Sequence, residues 1–153
     1  MPCGTFGSSL RSNSSPIVFI AGGIGITPLL SMLETQKMFK SSNQIIFMHC
    51  VKAQAEHIFA QCIDDMAENN INLTPYAFYS RFDGKVIDNL KRTKVFHKRL
   101  ELEDLQEILG SLIESDFYIC GPELFLKAVL TSLDKMHVPA NQIFYEYFGP
   151  QLQ

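Results

Sequence analysis

The chain has 153 residues, of which 46% are hydrophobic and 19% charged, and this balance is typical of one globular domain with a buried core. A net charge of −3 without a basic run excludes a general nucleic-acid binder and a polybasic membrane patch. The four cysteines form no CxxC pair, so we expect free thiols, no metal site and a cytoplasmic protein.

The apolar run from Ile17 is the stretch most easily mistaken for a signal peptide or a membrane span. It breaks at Gly22, Gly23 and Gly25 and then leads into a helical pattern, so it is too interrupted for either. We therefore interpret the run as a buried strand and expect no membrane association.

Strand and helix patterns alternate along the chain. Residues 1–15 are rich in Ser and Gly and predict a connector before a single domain over 16–153. Apolar runs predict five strands over 16–21, 44–51, 73–79, 116–120 and 142–147, and Pro75 favours an edge position for the third. Apolar spacing predicts helices over 28–39, 55–69, 101–109 and 123–136, and the weak pattern over 80–99 predicts a solvated excursion.

This alternation requires crossover connections between parallel strands. The predicted fold class is α/β, a doubly wound three-layer αβα sandwich with a Rossmann-like parallel sheet of five strands or slightly more. Ligands bind such sheets beyond the carboxyl ends of the strands, where the strand order reverses.

The turn after the first strand reads Gly22-Gly-Ile-Gly-Ile-Thr-Pro28. We expect Thr27 to cap the following helix and Pro28 to occupy the first helical position, while the glycines let a phosphate approach the backbone amides. The alternative is an ordinary βα turn. The turn departs from GxGxxG, and the second strand ends in Cys50-Val51-Lys52 without the usual acidic ribose ligand, so a standard dehydrogenase matches poorly.

Two further motifs lie near predicted strand ends. Cys120-Gly121-Pro122 ends the fourth strand, and Phe148 precedes Gly149-Pro150 after the last one. The alternative for Cys120 is a buried structural cysteine, and the alternative for the last strand is aromatic packing in the core. An aromatic side chain that leaves the sheet, such as Phe148, can instead stack on a planar ligand.

Together these motifs resemble the NAD(P)H-binding domain of the ferredoxin–NADP reductase family, and in particular the C-terminal domain of flavohemoglobins. The resemblance covers essentially the whole chain. It is carried by PCGTF at 2–6, where the family's flavin-binding barrel ends, by AGGIGITP at 21–28, by His49 and the HIF start at 57–59, by YICGP at 118–122 and by YEYFGP at 145–150.

The resemblance implies roles at the matching positions. The pyrophosphate and nearby nucleotide would be held by Gly22, Gly23, Gly25, Ile26, Thr27 and Pro28, and the nicotinamide would be bordered by Cys120, Gly121 and Pro122. Phe148 would lie against the flavin ring, and Glu146 would lie near its edge. Cys120, Glu146 and Phe148 are thus the catalytic candidates, with Cys120 acting by position rather than as a thiolate.

The expected function is hydride transfer from NAD(P)H, with NADH favoured, to FAD held mainly by a flavin-binding domain that this sequence does not contain. The likeness to flavohemoglobins suggests a globin partner and nitric oxide dioxygenation. We expect residues 1–15 to be the remnant of the flavin barrel's end, and the chain alone to bind nucleotide without turnover. The alternative is a non-catalytic nucleotide-binding or protein-interaction remnant.

Three further features were considered as parts of the site. Lys52 is a basic candidate for contacting the adenosine 2′ position. The basic cluster from Lys91 to Arg99 is predicted to be a solvated face, with an adenosine phosphate or an electron-transfer partner as the alternative. His49 and His57 match family positions, and we expect them to act in loop structure or packing.

Overall fold

Six parallel strands form one sheet at the centre of the structure, a computed structural model that describes residues 15–38, 43–81, 89–110 and 112–147. The strands are β1 Ile17–Gly22, β2 Ile45–Val51, β3 Leu73–Tyr79, β4 Lys94–Phe96, β5 Asp116–Gly121 and β6 Ile143–Tyr147. Their order is β4-β3-β2-β1-β5-β6, and every neighbouring pair is parallel. The predicted parallel α/β sheet is confirmed, with six strands.

Four helices cover the two faces of the sheet: α1 Ile26–Met38, α2 Ala60–Glu68, α3 Leu102–Leu109 and α4 Glu123–Lys135. Apolar side chains of α1 and α2 pack on one face, and those of α3 and α4 pack on the other. Successive residues of a strand point to opposite faces, so Phe19 joins the first core while Val18 and Ile20 join the second. Both faces of β1 are therefore buried, which is why its sequence is uniformly apolar.

The strand order reverses between β1 and β5. The chain steps outward from β1 through β2 and β3 to β4, and then crosses back to β5 on the other side of β1. The carboxyl ends of these two strands, Gly22 and Gly121, therefore flank the switch point. Within the described ranges, no helix is long and apolar enough to cross a membrane.

The prediction of a solvated excursion over 80–99 was wrong for β4. This strand has only three residues, too few to show an alternating pattern, and its Phe96 ring stacks on Phe78 with centroids 4.9 Å apart. Since β4 pairs with β3, the edge position predicted from Pro75 was also wrong. Pro75 is tolerated because β4 pairs only from Tyr76 onward.

A buried carboxylate holds the chain that leads into β4. Asp64, on α2, accepts hydrogen bonds from the amides of Lys91, Arg92 and Thr93 and from the Thr93 hydroxyl at 2.8–2.9 Å. Burial raises the pKa of this carboxyl, but the four hydrogen bonds outweigh burial and lower it below its usual value. Part of the basic cluster is thus fixed to α2 through its backbone.

The helix predicted over 55–69 is shorter in the structure. A 3-10 turn spans Gln54–Glu56, and α2 begins only at Ala60. Phe59 precedes it in the left-handed region with φ 65°, a conformation that interrupts a helix and that apolar periodicity does not reveal.

Candidate functional site

A cleft of about 580 Å³ opens at the carboxyl edge of the sheet, on the side covered by α3 and α4. It extends from the turn after β1, past the ends of β2 and β3, to the first turns of α4. Its lining includes Gly22, Gly23, Cys50, Lys52, Glu56, Phe78, Ser80, Arg99, Leu105, Pro122 and Phe125. The cleft thus lies beside the switch point of the strand order.

Two glycines in the turn after β1 are required by different constraints. Gly23 has φ +56°, and its missing Cβ would meet nothing within 4 Å, so the backbone conformation is what favours glycine there. A Cβ on Gly25 would collide with the carbonyl of Cys120. The packing of the turn against β5 therefore requires glycine at position 25.

Phe125 covers the other two glycines of the switch point. A Cβ on Gly22 would lie 2.7 Å from its ring, and one on Gly121 would lie 2.6 Å from it. These two glycines make room for an aromatic side chain of α4 that also lines the cleft. Phe125 was not among the predicted site residues, although its place four residues after Gly121, on the apolar side of a predicted helix, was a usable signal.

The side chain of Thr27 does not cap α1. The helix begins at Ile26, two residues earlier than a Thr27 cap requires, and the Thr27 hydroxyl donates to the Ile24 carbonyl at 3.4 Å. The predicted cap was therefore wrong, because Ile26 already has helical backbone angles. Pro28 is the third residue of α1 and not the first, so its predicted position was also wrong. It still lies in the first turn, where a missing amide hydrogen is harmless.

His49 joins β2 to the turn after β1. Its ring is 1% exposed, and Nε2 lies 2.9 Å from the Gly23 carbonyl oxygen. Burial lowers the pKa of His49, and the hydrogen bond to Gly23 only partly opposes that shift. The expected role in loop structure or packing agrees with this position.

A second buried imidazole supports the first. The ring of His57 meets His49 edge-on with centroids 5.4 Å apart, and His57 Nδ1 shares a hydrogen bond of 2.7 Å with the Tyr79 hydroxyl. Burial, and then the neighbouring His49, lower the pKa of His57 to about 4, while burial raises the pKa of Tyr79 to about 12. All three side chains are therefore uncharged at neutral pH.

Cys120 and Glu146 are cross-strand neighbours on β5 and β6. Cys120 is fully buried, whereas Glu146 is half-buried, and its Oε2 is shielded from solvent without a hydrogen-bond partner in the described part of the chain. A buried carboxylate oxygen without a donor is costly, so the arrangement leaves an acceptor for a group outside the described residues. Phe148, the third catalytic candidate, lies outside those residues.

Two cations and one anion line the cleft: Lys52, Arg99 and Glu56. Lys98, the neighbour of Arg99, does not line the cleft. It forms ion pairs with Asp104 at 2.8 Å and with Glu101 at 3.3 Å. Within the basic cluster, Arg99 thus lines the cleft and Lys98 forms ion pairs at the surface. The backbone of Lys91 and Arg92 is held by Asp64.

The predicted site residues all gather at this edge where the structure describes them, but they do not form one surface. Gly22, Gly23, Lys52 and Pro122 line the cleft. The side chain of Ile26 is fully buried in the core, so only its backbone is available to a ligand. Sequence reasoning did not select Ser80 for the site, because one serine after a strand gives no distinctive pattern.

A cleft at the switch point of a doubly wound parallel sheet, beside a glycine turn, defines a dinucleotide-binding domain. Residues 19–131 match the model of the oxidoreductase NAD-binding domain family, and the chain belongs to that family. It is a domain of the ferredoxin–NADP reductase type, similar to the C-terminal domain of flavohemoglobins.

The similar proteins include flavohemoproteins from two bacteria. The chain is 32% identical over 151 residues to that of Bacillus cereus and 33% identical over 149 residues to that of Pseudomonas putida. Each alignment covers 97% of this chain but only 36% of the relative. The chain therefore spans about a third of the length of these proteins.

Solved structures show the same fold. The flavohem-like FAD/NAD-binding domain of nitric oxide dioxygenase from Vibrio cholerae has a TM-score of 0.70 and 25% identity, over 92% of this chain and 54% of that one. A flavohemoglobin from Malassezia yamatoensis with bound FAD and heme has a TM-score of 0.71 and 20% identity, over 94% and 34%.

Proposed function

We propose that this chain presents the nicotinamide of NADH for hydride transfer to FAD held mainly by a separate flavin-binding domain, within a flavohemoglobin-type nitric oxide dioxygenase. The observation that carries the proposal is the cleft at the switch point, lined both by the glycine turn at Gly22–Gly23 and by Pro122 of the Cys-Gly-Pro turn. A dinucleotide is long enough to extend from one turn to the other across this edge.

The pyrophosphate would lie at the turn between β1 and α1. Backbone amides at such a turn, together with the positive end of the dipole of a 13-residue helix, favour bound anions. Arg99 adds positive charge to the same cleft, whereas Lys52 is assigned to the adenosine 2′ position. Gly25, Ile26, Thr27 and Pro28 would contribute through the backbone and shape of the helix start.

Cys120, Gly121 and Pro122 would border the nicotinamide. Hydride transfer requires the donor and acceptor rings in contact with water excluded, which buried neighbours supply without any covalent chemistry. Full burial of Cys120 suits a positioning role for this side chain.

The residues at β5 and β6 fit a flavin held against this edge. The unpartnered Oε2 of Glu146 would accept a hydrogen bond from the flavin or from its binding domain, and we propose that Phe148 lies against the flavin ring. When bound, flavin takes up a hydride and passes electrons on one at a time.

The rim of this edge also fits a protein partner. Three apolar or aromatic side chains there are between 40% and 79% exposed: Ile24 and Leu124, which follow β1 and β5, and Tyr147, which ends β6. Apolar side chains grouped at one edge favour burial against another domain. We propose that this domain is the flavin-binding domain, with a globin domain as the electron acceptor.

Titration calorimetry with NADH, NADPH and ADP tests the proposal. We expect all three to bind, NADH at least as tightly as NADPH, and we expect negligible reduction of ferricyanide by NADH without added flavoprotein. Binding of none of them would favour the interaction remnant, and rapid ferricyanide reduction by the chain alone would contradict the need for a flavin-binding domain.

The preference for NADH is proposed from the charges at the end of β2. Glu56 lines the cleft with Lys52, and a carboxylate there repels a 2′-phosphate while it can accept hydrogen bonds from ribose hydroxyls. We predict that Lys52→Glu changes NADH affinity less than about twofold. A large loss confined to NADPH, measured by calorimetry, would instead assign Lys52 to a 2′-phosphate and reverse the preference.

A further inference from the structure

His49 is a buried histidine whose protonation can be read from its single partner. Nε2 faces the Gly23 carbonyl oxygen, which can only accept, so Nε2 carries the hydrogen. Nδ1 is buried and has no hydrogen-bond partner within the described residues. A proton on Nδ1 would be a buried donor without an acceptor, so the ring is neutral and donates only through Nε2.

The hydrogen bond to Gly23 sets the direction of a peptide that borders the cleft. All described peptides are trans, so the Ile24 amide hydrogen points opposite to the Gly23 carbonyl and therefore away from His49. Gly23 has φ +56° and begins the 3-10 turn Gly23–Gly25, and no atom lies within 4 Å of the place that a Cβ would take. The donor on His49 adds a side-chain hydrogen bond from β2 to the backbone of this turn.

The position of the His49 ring is itself fixed from behind. The edge of His57 lies against it, and His57 is held by the Tyr79 hydroxyl at the end of β3. His49 and Tyr79 lie on the same strand faces as Phe47 and Leu73, which pack with α1 and α2. Neither these two side chains nor His57 lines the cleft, so we expect none of them to contact a ligand bound there.

We propose that His49 is a positioning residue for nucleotide phosphate: through the Gly23 carbonyl it turns the Ile24 amide toward the pyrophosphate of the bound dinucleotide. This inference rests on the proposed function, since it assumes that a dinucleotide binds at the turn. His49 would thus contribute to phosphate binding without contacting the phosphate.

Two amide variants separate this role from packing alone. Glutamine places its amide nitrogen close to the position of Nε2, whereas asparagine is one methylene shorter and cannot reach the Gly23 carbonyl. We expect His49→Asn to weaken ADP binding about tenfold and His49→Gln to weaken it less than about threefold. Adenosine has no phosphate, so its affinity is expected to be equal in both variants and the wild type.

Calorimetry for ADP and amide-shift titration by NMR for adenosine give the dissociation constants, and thermal melts verify folding. If His49→Asn does not fold, His49→Phe replaces it as the variant without a donor. In the wild type, the Ile24 amide proton is expected to move downfield on addition of ADP but not of adenosine.

Equal losses of ADP affinity in His49→Gln and His49→Asn, or no loss in either, would overturn the positioning role while leaving the proposed function intact. The same holds if the Ile24 amide does not respond to ADP. Failure of the wild type to bind ADP or NADH at all would overturn both proposals together.

Discussion

The two sides of the carboxyl edge differ in character although they share the same strands. The α3/α4 side is an open cleft with charged side chains, among them Lys52 and Arg99. The α1/α2 side is closed and holds neutral polar side chains, namely His49 and His57 with Tyr79. We propose a division of roles that matches this difference: the open side offers a place for the ligand, and the closed side maintains the shape of the turn.

This division follows from the geometry of a strand. Cys50 and His49 are neighbours in β2, yet Cys50 lines the cleft and His49 lies behind the turn, because successive residues point to opposite faces. Burial raises the pKa of Cys50 and lowers that of His49, so both are uncharged near neutral pH. Four predictions test the contrast between the two sides.

The largest effect is expected where the turn packs against β5. Gly25→Ala introduces a Cβ that collides with the Cys120 carbonyl, and backbone on both sides leaves little room to relax. We expect a loss of about 3 kcal/mol in the free energy of unfolding, measured by denaturant titration. Gly23→Ala is the control, because only its positive φ opposes the substitution, at a cost of about 1–2 kcal/mol. Similar losses in the two variants would contradict this account of Gly25.

The closed side also predicts a pH dependence of stability. The pKa of His57 falls from 6.5 to about 4 on folding, so between these values the unfolded chain binds a proton that the folded chain does not. Stability from this group is complete above pH 6.5 and declines as the pH falls to 4, by about 3 kcal/mol in total.

Denaturant titrations between pH 4 and pH 7 measure this decline. Carboxylates also titrate in this window, so His57→Asn, which cannot ionise, serves as the reference. A wild type whose stability falls no more steeply than that of the variant would show that His57 does not carry the effect.

A smaller effect is expected at the switch point on the open side. Gly22→Ala introduces a Cβ that pushes against the ring of Phe125. Because this ring belongs to a helix that can shift, we expect a loss of about 1–3 kcal/mol in the free energy of unfolding. Phe125→Leu removes part of the obstacle, and the double variant is expected to lose less than the sum of the two single changes. Strict additivity in this double-mutant cycle would mean that the ring does not constrain Gly22.

Substitution of a charged residue that lines the cleft is expected to have the smallest effect on stability but a measurable effect on nucleotide binding. Arg99→Gln removes a surface charge, so unfolding free energy is expected to change by less than about 0.5 kcal/mol, while NADH affinity falls severalfold. Lys98→Gln is the matched control, because Lys98 pairs with Asp104 and Glu101 and does not line the cleft. An equal loss of affinity in both variants would indicate a general charge effect.

Much of the fold could be predicted because strand, turn and helix signals are local. The β1 run, its glycine turn and the helix that follows are each specified within about 20 residues, and the β3 bounds agree with the prediction. The short β4 was missed because three residues carry no period, and its place depends on Asp64, which lies about 30 residues earlier in the chain.

The site was predicted less completely than the fold. Sequence reasoning brought the glycine turn, Lys52 and Cys120-Gly121-Pro122 to one edge, but it interpreted every glycine as room for a ligand. In the structure Gly25 makes room for the Cys120 carbonyl, and Gly22 and Gly121 make room for Phe125. Such reasons are invisible in sequence because each contact joins segments far apart in the chain.

The sequence by itself determined the kind of protein: an alternation of strands and helices, two glycine-bearing strand ends, and motifs whose order matches one reductase family. These properties depend on residue type and local spacing. Only the tertiary structure decided which face of the edge is open and that a neutral His49 holds the Gly23 carbonyl. The reason is physical: burial and hydrogen-bond partners arise when the crossover connections bring distant strands side by side, and they belong to no single segment.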